Sequence, residues 1–522
     1  MSTSLMWLLD GIAAVPAMES RGVVDLTLDS REVRPGSLFF ALPGRTAHGL
    51  KFATEAAARG ASVVLWEPGA QISPPKLPAT VFAAAIPGLK GLVGRIADRF
   101  FNWPSSQLRI TGITGTNGKT TCAYLLAQCL ERLGSQAAYI GTIGWGRIAS
   151  LEQPTLTTPD VVTLHRELAA LRASGVREVA MEVSSQALDQ DRVAGVRLHS
   201  AAFTNLSRDH LDYHETMAAY GAAKARLFDA PDLKHIVVNV GDAFGRELAR
   251  KLAGRVPLTA VWIGAGESGW LAERALRAAQ VALDVHGVSM QLDGSFGKAQ
   301  VATRLLGRFN AENALVVIAC LLSLGTPLAE AARVLAECVP PPGRMEVVEA
   351  AAGDKPAAGD KPAAGDRLAA GDEPAAGDKP MAVVDYAHTP DALAQALRAL
   401  REHCKGALWC VFGCGGDRDP GKRSIMGAVA DELADRIIVT DDNPRSENPE
   451  IITRAIVSGI KSPNVRVIHD RGEAIGTALT EAAASDVVLI AGKGHEDYQI
   501  YGGTRRSFSD RREAQRHLGA AA

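Results

Sequence analysis

Apolar residues follow two alternating rhythms along most of the chain. Short apolar runs of strand length end in polar or glycine-rich residues, and stretches with apolar side chains three and four apart come after them. Residues 23–28 and 37–42 read as strands, 52–58 as a helix stopped at Gly60, and 61–65 as a third strand. Leu108, Ile110 and Ile113 lead into Gly112, Gly115 and Gly118. Ala123, Leu126, Cys129, Leu130 and Leu133 then recur at helical spacing up to Gly134. Residues 176–183 form another strand, and a helix begun at 305–314 continues from Val316 to Leu324 with an apolar face. Residues 381–388, 407–412, 436–440 and 486–491 are strands that each deliver a polar cluster at the carboxyl end, where an open α/β sheet places ligands. Strands alternating with helices predict an α/β chain of largely parallel, covered sheets.

At 522 residues the chain exceeds a single core, so several domains are expected. The pattern divides into a small N-terminal α/β domain over 1–104, a central domain over 105–343 opened by the glycine loop, and a Rossmann-like C-terminal α/β domain over 344–522. Pro341-Pro-Gly343 breaks the helical pattern and is the expected hinge. Residues 351–380 are five tandem six-residue units: AAGDKP, AAGDKP, AAGDRL, AAGDEP and AAGDKP. Helix breakers and little apolar surface predict a disordered or extended insertion. A surface loop absorbs it cheaply, because closure entropy grows slowly with length.

The composition, 47% hydrophobic and 22% charged with a net charge of −2, is that of an ordinary globular protein. It excludes a global nucleic-acid or anionic-membrane binder. The seven cysteines form no CxxC pair, which predicts a reduced, cytoplasmic protein without structural zinc. Asp10 interrupts the apolar stretch Leu5–Leu9 and no basic residue precedes it. Neither a signal peptide nor a membrane span is expected.

The candidate chemistry starts at Gly115-Thr-Asn-Gly-Lys-Thr-Thr121. A strand, a glycine loop, Lys-Thr and a helix hold a polyphosphate: backbone N–H groups close on the oxygens, Lys119 adds a point charge, and the Thr120 hydroxyl can ligate Mg²⁺. The spacing departs from the common P-loop pattern, which has a glycine where Ile113 stands. Glu182 ends a buried strand and is a candidate second Mg²⁺ ligand; the alternative is a strand-end carboxylate paired with a surface lysine. Residues 201–214 run from a strand into a loop dense in Asn205, Asp209, His210, Asp212 and His214. Spacing alone makes Lys224 a solvated helix lysine. Asn310 and Asn313 share a helix face. In the N-terminal domain, Asp29-Ser-Arg31 and residues 44–49 suit phosphate or hydroxyl contacts, or ordinary turn chemistry.

Taken together, Gly115–Thr120, Glu182-Val-Ser-Ser185, the His210 loop, Asn310, Asn313, Pro342-Gly-Arg-Met-Glu346 and Asp385-Tyr-Ala-His388 resemble the Mur ligases, ATP-dependent amide-bond-forming enzymes of peptidoglycan synthesis. Asp442-Asn-Pro-Arg445 with Gly494-His-Glu496 is similar to the members that add meso-2,6-diaminopimelate to UDP-N-acetylmuramoyl-L-alanyl-D-glutamate. The resemblance covers nearly the whole chain, and the AAGDKP insertion is the departure from it. It implies an acyl-phosphate route. The D-Glu carboxylate attacks the ATP γ-phosphate, and the incoming amine then displaces phosphate.

By resemblance, Lys119, His210 and Lys224 are catalytic. Gly115, Thr116, Asn117, Gly118, Lys119, Thr120, Thr121, Asn310, Arg344, Asp385 and His388 contact ATP. Leu28, Ser30, Thr157, Thr158, Ser184, Gln190 and Arg192 hold the sugar nucleotide, and Arg418, Asp442, Asn443, Pro444, Arg445, Gly492 and Glu496 hold diaminopimelate. Thr120, Glu182, His210 and a carbamylated Lys224 hold Mg²⁺. A monomer is expected, with no nucleic-acid or membrane partner. Two rivals stand beside this reading. One is a folylpolyglutamate synthetase-like or other Mur ligase, which lacks a reason for the last two clusters. The other is a nucleotide-gated binding module that forms no bond.

Overall fold

The computed structural model describes residues 2–15, 21–44, 47–69, 72–154, 156–265, 274–284, 287–349, 379–463 and 465–519. The AAGDKP repeat lies outside the described residues except for its last two. The chain forms two compact units. One comprises Met1–Gln280, Gln291–Gln300 and Glu312–Leu335; the other comprises Val281–Met290, Val301–Ala311 and Ala336–Ala522.

The first unit opens with a four-stranded parallel sheet in the order Asp25–Thr27, Ser37–Ala41, Val63–Trp66, Phe82–Ala85. The single strand expected over 23–28 is split. Gly22–Val23 pairs antiparallel with Thr3–Ser4, and Asp25–Thr27 alone joins the sheet. The fourth strand is rich in alanine, which is why periodicity passes over it. Helix Leu89–Phe100 packs against helix Val161–Ala173 of the central region.

The central sheet is built on strand Arg109–Thr114, flanked in parallel by Glu178–Glu182 on one side and Ser200–Phe203 on the other. Beyond them lie Ala137–Gly141 on the first side, and His235–Asn239 and Leu258–Ile263 on the second, all parallel. The five residues Glu178–Glu182 are all buried, as a strand covered by helices on both faces must be. The chain winds away from Arg109–Thr114 in both directions, so its carboxyl end opens at a switch point where α/β sheets bind ligands. Gly134 has φ +82° and terminates helix Lys119–Arg132 in the left-handed conformation that a glycine adopts at no steric cost.

The second unit is built on a six-stranded sheet in the order Glu346–Val348, Met381–Asp385, Val487–Ala491, Leu408–Phe412, Arg436–Val439, Val465–Val467. All pairings are parallel except that of Glu346–Val348. The four strands expected here form its centre; the two edge strands are only three residues long and carry little pattern. Hairpin strands Tyr498–Tyr501 and Thr504–Ser507 follow. No described helix is long and apolar enough to cross a membrane.

A buried ion pair locks the last helix to this unit. Arg471 Nε and Nη2 each donate to the Asp510 carboxylate at 2.7 Å, and Nη2 also donates to Ala491 O at 2.9 Å, with both side chains fully buried. Removing one partner leaves a desolvated charge. Asp510→Ala is therefore expected to lower unfolding stability by about 3–5 kcal/mol, measured by urea denaturation. Arg471→Met/Asp510→Leu is expected to lose less than Asp510→Ala alone.

Candidate active site

The phosphate loop has no room for side chains at two of its glycines. Gly115 (φ +152°) lies where a Cβ would strike Thr204 Oγ1, and Gly118 (φ +84°) where it would strike Asn313 Oδ1. Neighbouring chain braces the loop. Asn117 N donates to Asn205 Oδ1 at 2.9 Å, Asn205 Nδ2 to Asn117 O at 3.2 Å, and Thr204 Oγ1 to Asn117 O at 2.6 Å. Thr116 N bonds Asn205 O at 2.8 Å, and Thr116 Oγ1 accepts from Ser207 N at 3.0 Å. Lys119 Nζ folds back over the loop, donating to Gly115 O at 2.9 Å and Thr116 O at 2.8 Å. The lysine, the loop and the start of helix Lys119–Arg132 thus form one concave, donor-rich turn. Thr121 is buried behind it.

Glu182 is completely buried beside this turn. Its Oε2 accepts from Thr120 Oγ1 at 2.9 Å and Thr142 Oγ1 at 3.2 Å; its Oε1 accepts from Thr142 N at 2.8 Å and from Tyr139 Oη. These donors are hydroxyls and an amide, none of them cationic. The surface-lysine alternative does not hold for this carboxylate. An anionic oxygen and the Thr120 hydroxyl side by side at a phosphate loop are the hard donor set Mg²⁺ takes. Neither Tyr139 nor Thr142 was singled out in the sequence, because a tyrosine inside an apolar strand reads as core.

Lys224 is not a solvated helix lysine: it is 1% exposed, and its Nζ donates to Gly115 O at 2.7 Å. It lies 4.3 Å from the centre of the Tyr220 ring. Burial first, and then the Lys119 cation, hold its pKa well below the ordinary lysine value. Burial pushes the Tyr220 phenol up to about 12. His210 flanks the same ring at 6.1 Å in the left-handed conformation (φ 51°), with Nε2 3.5 Å from Asp209 Oδ2. His214, tied to Ser185 Oγ at 3.0 Å, is held below the usual histidine pKa by burial. Among the described residues no three His, Cys, Asp or Glu side chains gather as a metal cluster. His210 and Lys224 share a neighbourhood around Tyr220.

The residues expected at the sugar nucleotide fall into two places in the first unit. Thr158 Oγ1 donates to Glu182 O at 2.8 Å and accepts from Ser184 N at 3.2 Å, while Thr157 Oγ1 accepts from Thr142 Oγ1 at 3.2 Å. Arg192 reaches Thr158 O at 3.0 Å and Gln190 Oε1 at 2.6 Å, and Gln190 Nε2 donates to Tyr213 Oη at 3.0 Å. This chain of contacts links the strand carrying Glu182 to the His210 loop. Leu28 and Ser30 line a separate cavity of about 610 Å³ with Asp160, Thr163 and Arg166 from the central region.

In the second unit, Asp385 accepts from Met345 N and Ala387 N, both at 2.8 Å, and burial raises its pKa. Arg344 stacks 4.6 Å from the Tyr386 ring centre, and its Nε is buried with no hydrogen-bond partner among the described residues. His388 Nδ1 meets Tyr386 O at 2.8 Å, and Asn310 Nδ2 donates to Leu306 O at 2.8 Å. Arg445 takes the left-handed conformation (φ 52°), donates from Nη1 to Gly416 O at 2.7 Å and from its backbone N to Ile500 O at 3.0 Å. A Cβ at Gly416 would strike Pro444 O, so the loop bearing Arg418 and the loop bearing Arg445 lie in direct contact. Asn443 Nδ2 donates to Glu496 Oε2 at 3.0 Å. Lys493, fully buried and not among the residues singled out in the sequence, lies between Asp442, Asn443 and Glu496. A lysine flanked by glycines reads as surface, which is why its role was missed. Gly492 (φ +116°) turns the chain into this cluster.

Comparison with known proteins accounts for both halves. In chain order, residues 23–98 match the model of the Mur ligase family catalytic domain, 113–321 the Mur ligase middle domain, and 373–494 the Mur ligase glutamate ligase domain. A protein of Ectopseudomonas mendocina (strain ymp) named UDP-N-acetylmuramoyl-L-alanyl-D-glutamate–2,6-diaminopimelate ligase is 46% identical over 508 residues, covering 97% of both chains. One of the same name from Xanthomonas campestris pv. campestris (strain 8004) is 44% identical, covering 97% of this chain and 95% of the relative. A solved structure of a ligase of that name is 33% identical, with a TM-score of 0.68 and 99% coverage of each chain. With near-half identity from end to end and three successive domain matches, this chain belongs to the Mur ligase family.

Proposed function

We propose that the protein is the ATP-dependent ligase that adds meso-2,6-diaminopimelate to UDP-N-acetylmuramoyl-L-alanyl-D-glutamate in cytoplasmic peptidoglycan precursor synthesis. The observation that carries this reading is the pairing, in one chain, of a braced phosphate loop beside a buried carboxylate with a second cluster offering both a guanidinium and a carboxylate. A phosphate loop alone suits many nucleotide enzymes. The Arg445–Glu496 cluster suits an acceptor with an anionic and a cationic group at its distal end. Lysine has the ammonium and lacks the carboxylate, so it would leave Arg445 without its counter-charge.

The three-domain assignment, 1–104 for uridine, 105–343 for ATP and 344–522 for the amino acid, is part of the same reading. Leu28 and Ser30, in the cavity shared with Arg166, take the uridine end. Thr157, Thr158, Ser184, Gln190 and Arg192 take the sugar and peptide. Backbone N–H groups of residues 115–121 grip the ATP phosphates, and Lys119 neutralises charge as the phosphoryl group moves. Asn310, Arg344, Asp385 and His388 hold adenine, ribose and phosphate. Thr120 and Glu182 hold one Mg²⁺, and His210 with carbamylated Lys224 a second; the metal supplies charge neutralisation at the transferring phosphoryl group. Carbamylation requires a neutral amine, and the buried, pKa-depressed Lys224 supplies one. The D-Glu carboxylate takes the γ-phosphoryl, releasing ADP. The acceptor amine, held by Arg418, Asp442, Asn443, Pro444, Arg445, Gly492 and Glu496, attacks the acyl carbon, and phosphate leaves. Pro341-Pro-Gly343 is the hinge for a closure that keeps water from the acyl phosphate, and the protein works as a monomer.

The discriminating experiment is phosphate release with the uridine-linked dipeptide, ATP and a panel of diaminopimelate, lysine and ornithine. Diaminopimelate is expected to support turnover far better than the others; lysine at equal efficiency overturns the acceptor assignment. Arg445→Ala is expected to lower kcat/KM for diaminopimelate at least about a hundredfold, as loss of a charged hydrogen-bond partner does, while KM for ATP changes little. Lys224 gives a pH signature. Between its depressed native pKa and the ordinary value of about 10.4, the unfolded chain carries the extra proton, so native stability rises with pH across that window. In CO₂-free buffer, Lys224→Met is expected to show a flatter pH dependence of its urea midpoint there. With isotope-labelled bicarbonate, the wild type and not this variant is expected to give a carbamate NMR signal.

A further inference from the structure

Lys493 is completely buried at the start of the Gly494-His-Glu496 turn. Its ammonium donates to Glu496 Oε2 at 3.1 Å and to Asn443 Oδ1 at 3.3 Å, and forms an ion pair with Asp442 Oδ1 at 3.5 Å. The Tyr498 ring centre lies 5.4 Å from Nζ on the remaining side. Both hydrogen bonds and the ion pair of this buried side chain go to protein groups, so its work is to fix its neighbours.

What it fixes is specific. Asn443 is oriented by the backbone: Ile500 N donates to Asn443 Oδ1 at 2.9 Å, which leaves Nδ2 to donate to Glu496 Oε2 at 3.0 Å. Lys493 bonds the same two oxygens, Asn443 Oδ1 and Glu496 Oε2. Both anchors of the Glu496 carboxylate thus fall on Oε2. Oε1 carries neither of these bonds. The strand that orients Asn443 also holds Arg445, whose backbone N donates to Ile500 O at 3.0 Å. The two charged groups assigned to the distal end of the acceptor therefore hang on one small framework.

The charges point the same way. Asp442 and Glu496 bring two negative charges within reach of Lys493, which cancels one of them. Without Lys493 the two carboxylates would repel each other and Glu496 would swing on its own rotamers.

We propose that Lys493 is a positioning residue for acceptor recognition: it pins Glu496 Oε2, together with Asn443, so that Oε1 meets the distal ammonium of the acceptor. This rests on the diaminopimelate reading above. The test compares Lys493→Met, Glu496→Gln and the double variant in steady-state phosphate release with each substrate varied, alongside circular dichroism and thermal melts. In Lys493→Met, KM for diaminopimelate is expected to rise at least about tenfold, the scale of losing a charged hydrogen-bond partner, with KM for ATP and for the sugar nucleotide within about twofold. The double variant is expected to be no worse than Glu496→Gln, because both changes act through one carboxylate.

Additive losses, or equal rises in every KM, overturn the proposal and make Lys493 a general packing residue. If Lys493→Met does not fold, Asn443→Leu, which removes the other donor to Oε2, carries the test: an unchanged KM for diaminopimelate in that variant overturns the pinning of Glu496. Failure of the acceptor reading itself is seen separately, as a wild-type enzyme that does not respond to diaminopimelate.

Discussion

The first unit depends on a loop of bare backbone pressed against its neighbours. Gly115 and Gly118 carry no side chain where Thr204 and Asn313 stand, and Asn205 closes on Asn117 from both sides. That contact fixes where the backbone N–H groups point, where Lys119 can rest and where Thr120 meets Glu182. Loosening it would cost preorganisation before it cost stability. A phosphate cradle works because its dipoles need not reorient as charge develops.

Burial does the second part of the work. Glu182 and Lys224 are both removed from water within one loop's breadth of the phosphate cradle, and they behave oppositely. The carboxylate is satisfied by hydroxyls and an amide, with no cation among these partners. The amine is desolvated and crowded by the Lys119 cation, which lowers its pKa toward the neutral form. In the second unit the same logic gives a different result. Lys493 is buried between two carboxylates and an amide, hydrogen-bonded to Glu496 and Asn443 and ion-paired with Asp442.

Similarity to solved and curated relatives covers the whole chain, which makes the family assignment independent of any single motif. The site chemistry still has to be read from residues, because Mur ligases share a fold across different acceptors. In the second unit, Arg445, Asn443 and Glu496 are held together through Ile500 and Lys493.

Much of this was legible in the sequence. Strong apolar runs and glycine punctuation marked the central strands of the three main sheets, with polar clusters at their carboxyl ends, where a parallel sheet presents its loops. Local pattern failed where the signal is weak. The alanine-rich strand Phe82–Ala85 and the three-residue edge strands have too little periodicity to register. It also failed where environment reverses a residue's usual character. Lys224 and Lys493 sit in small-residue and glycine surroundings that read as exposed, yet both are buried. Tyr139 reads as core, yet its hydroxyl serves Glu182. The sequence by itself determined the long central strands, the glycine loop ahead of helix Lys119–Arg132 and the polar residues at strand ends. Only the tertiary structure decided which charges lose their water and which partners they find instead, because desolvation and hydrogen-bond geometry come from packing between segments far apart in the chain.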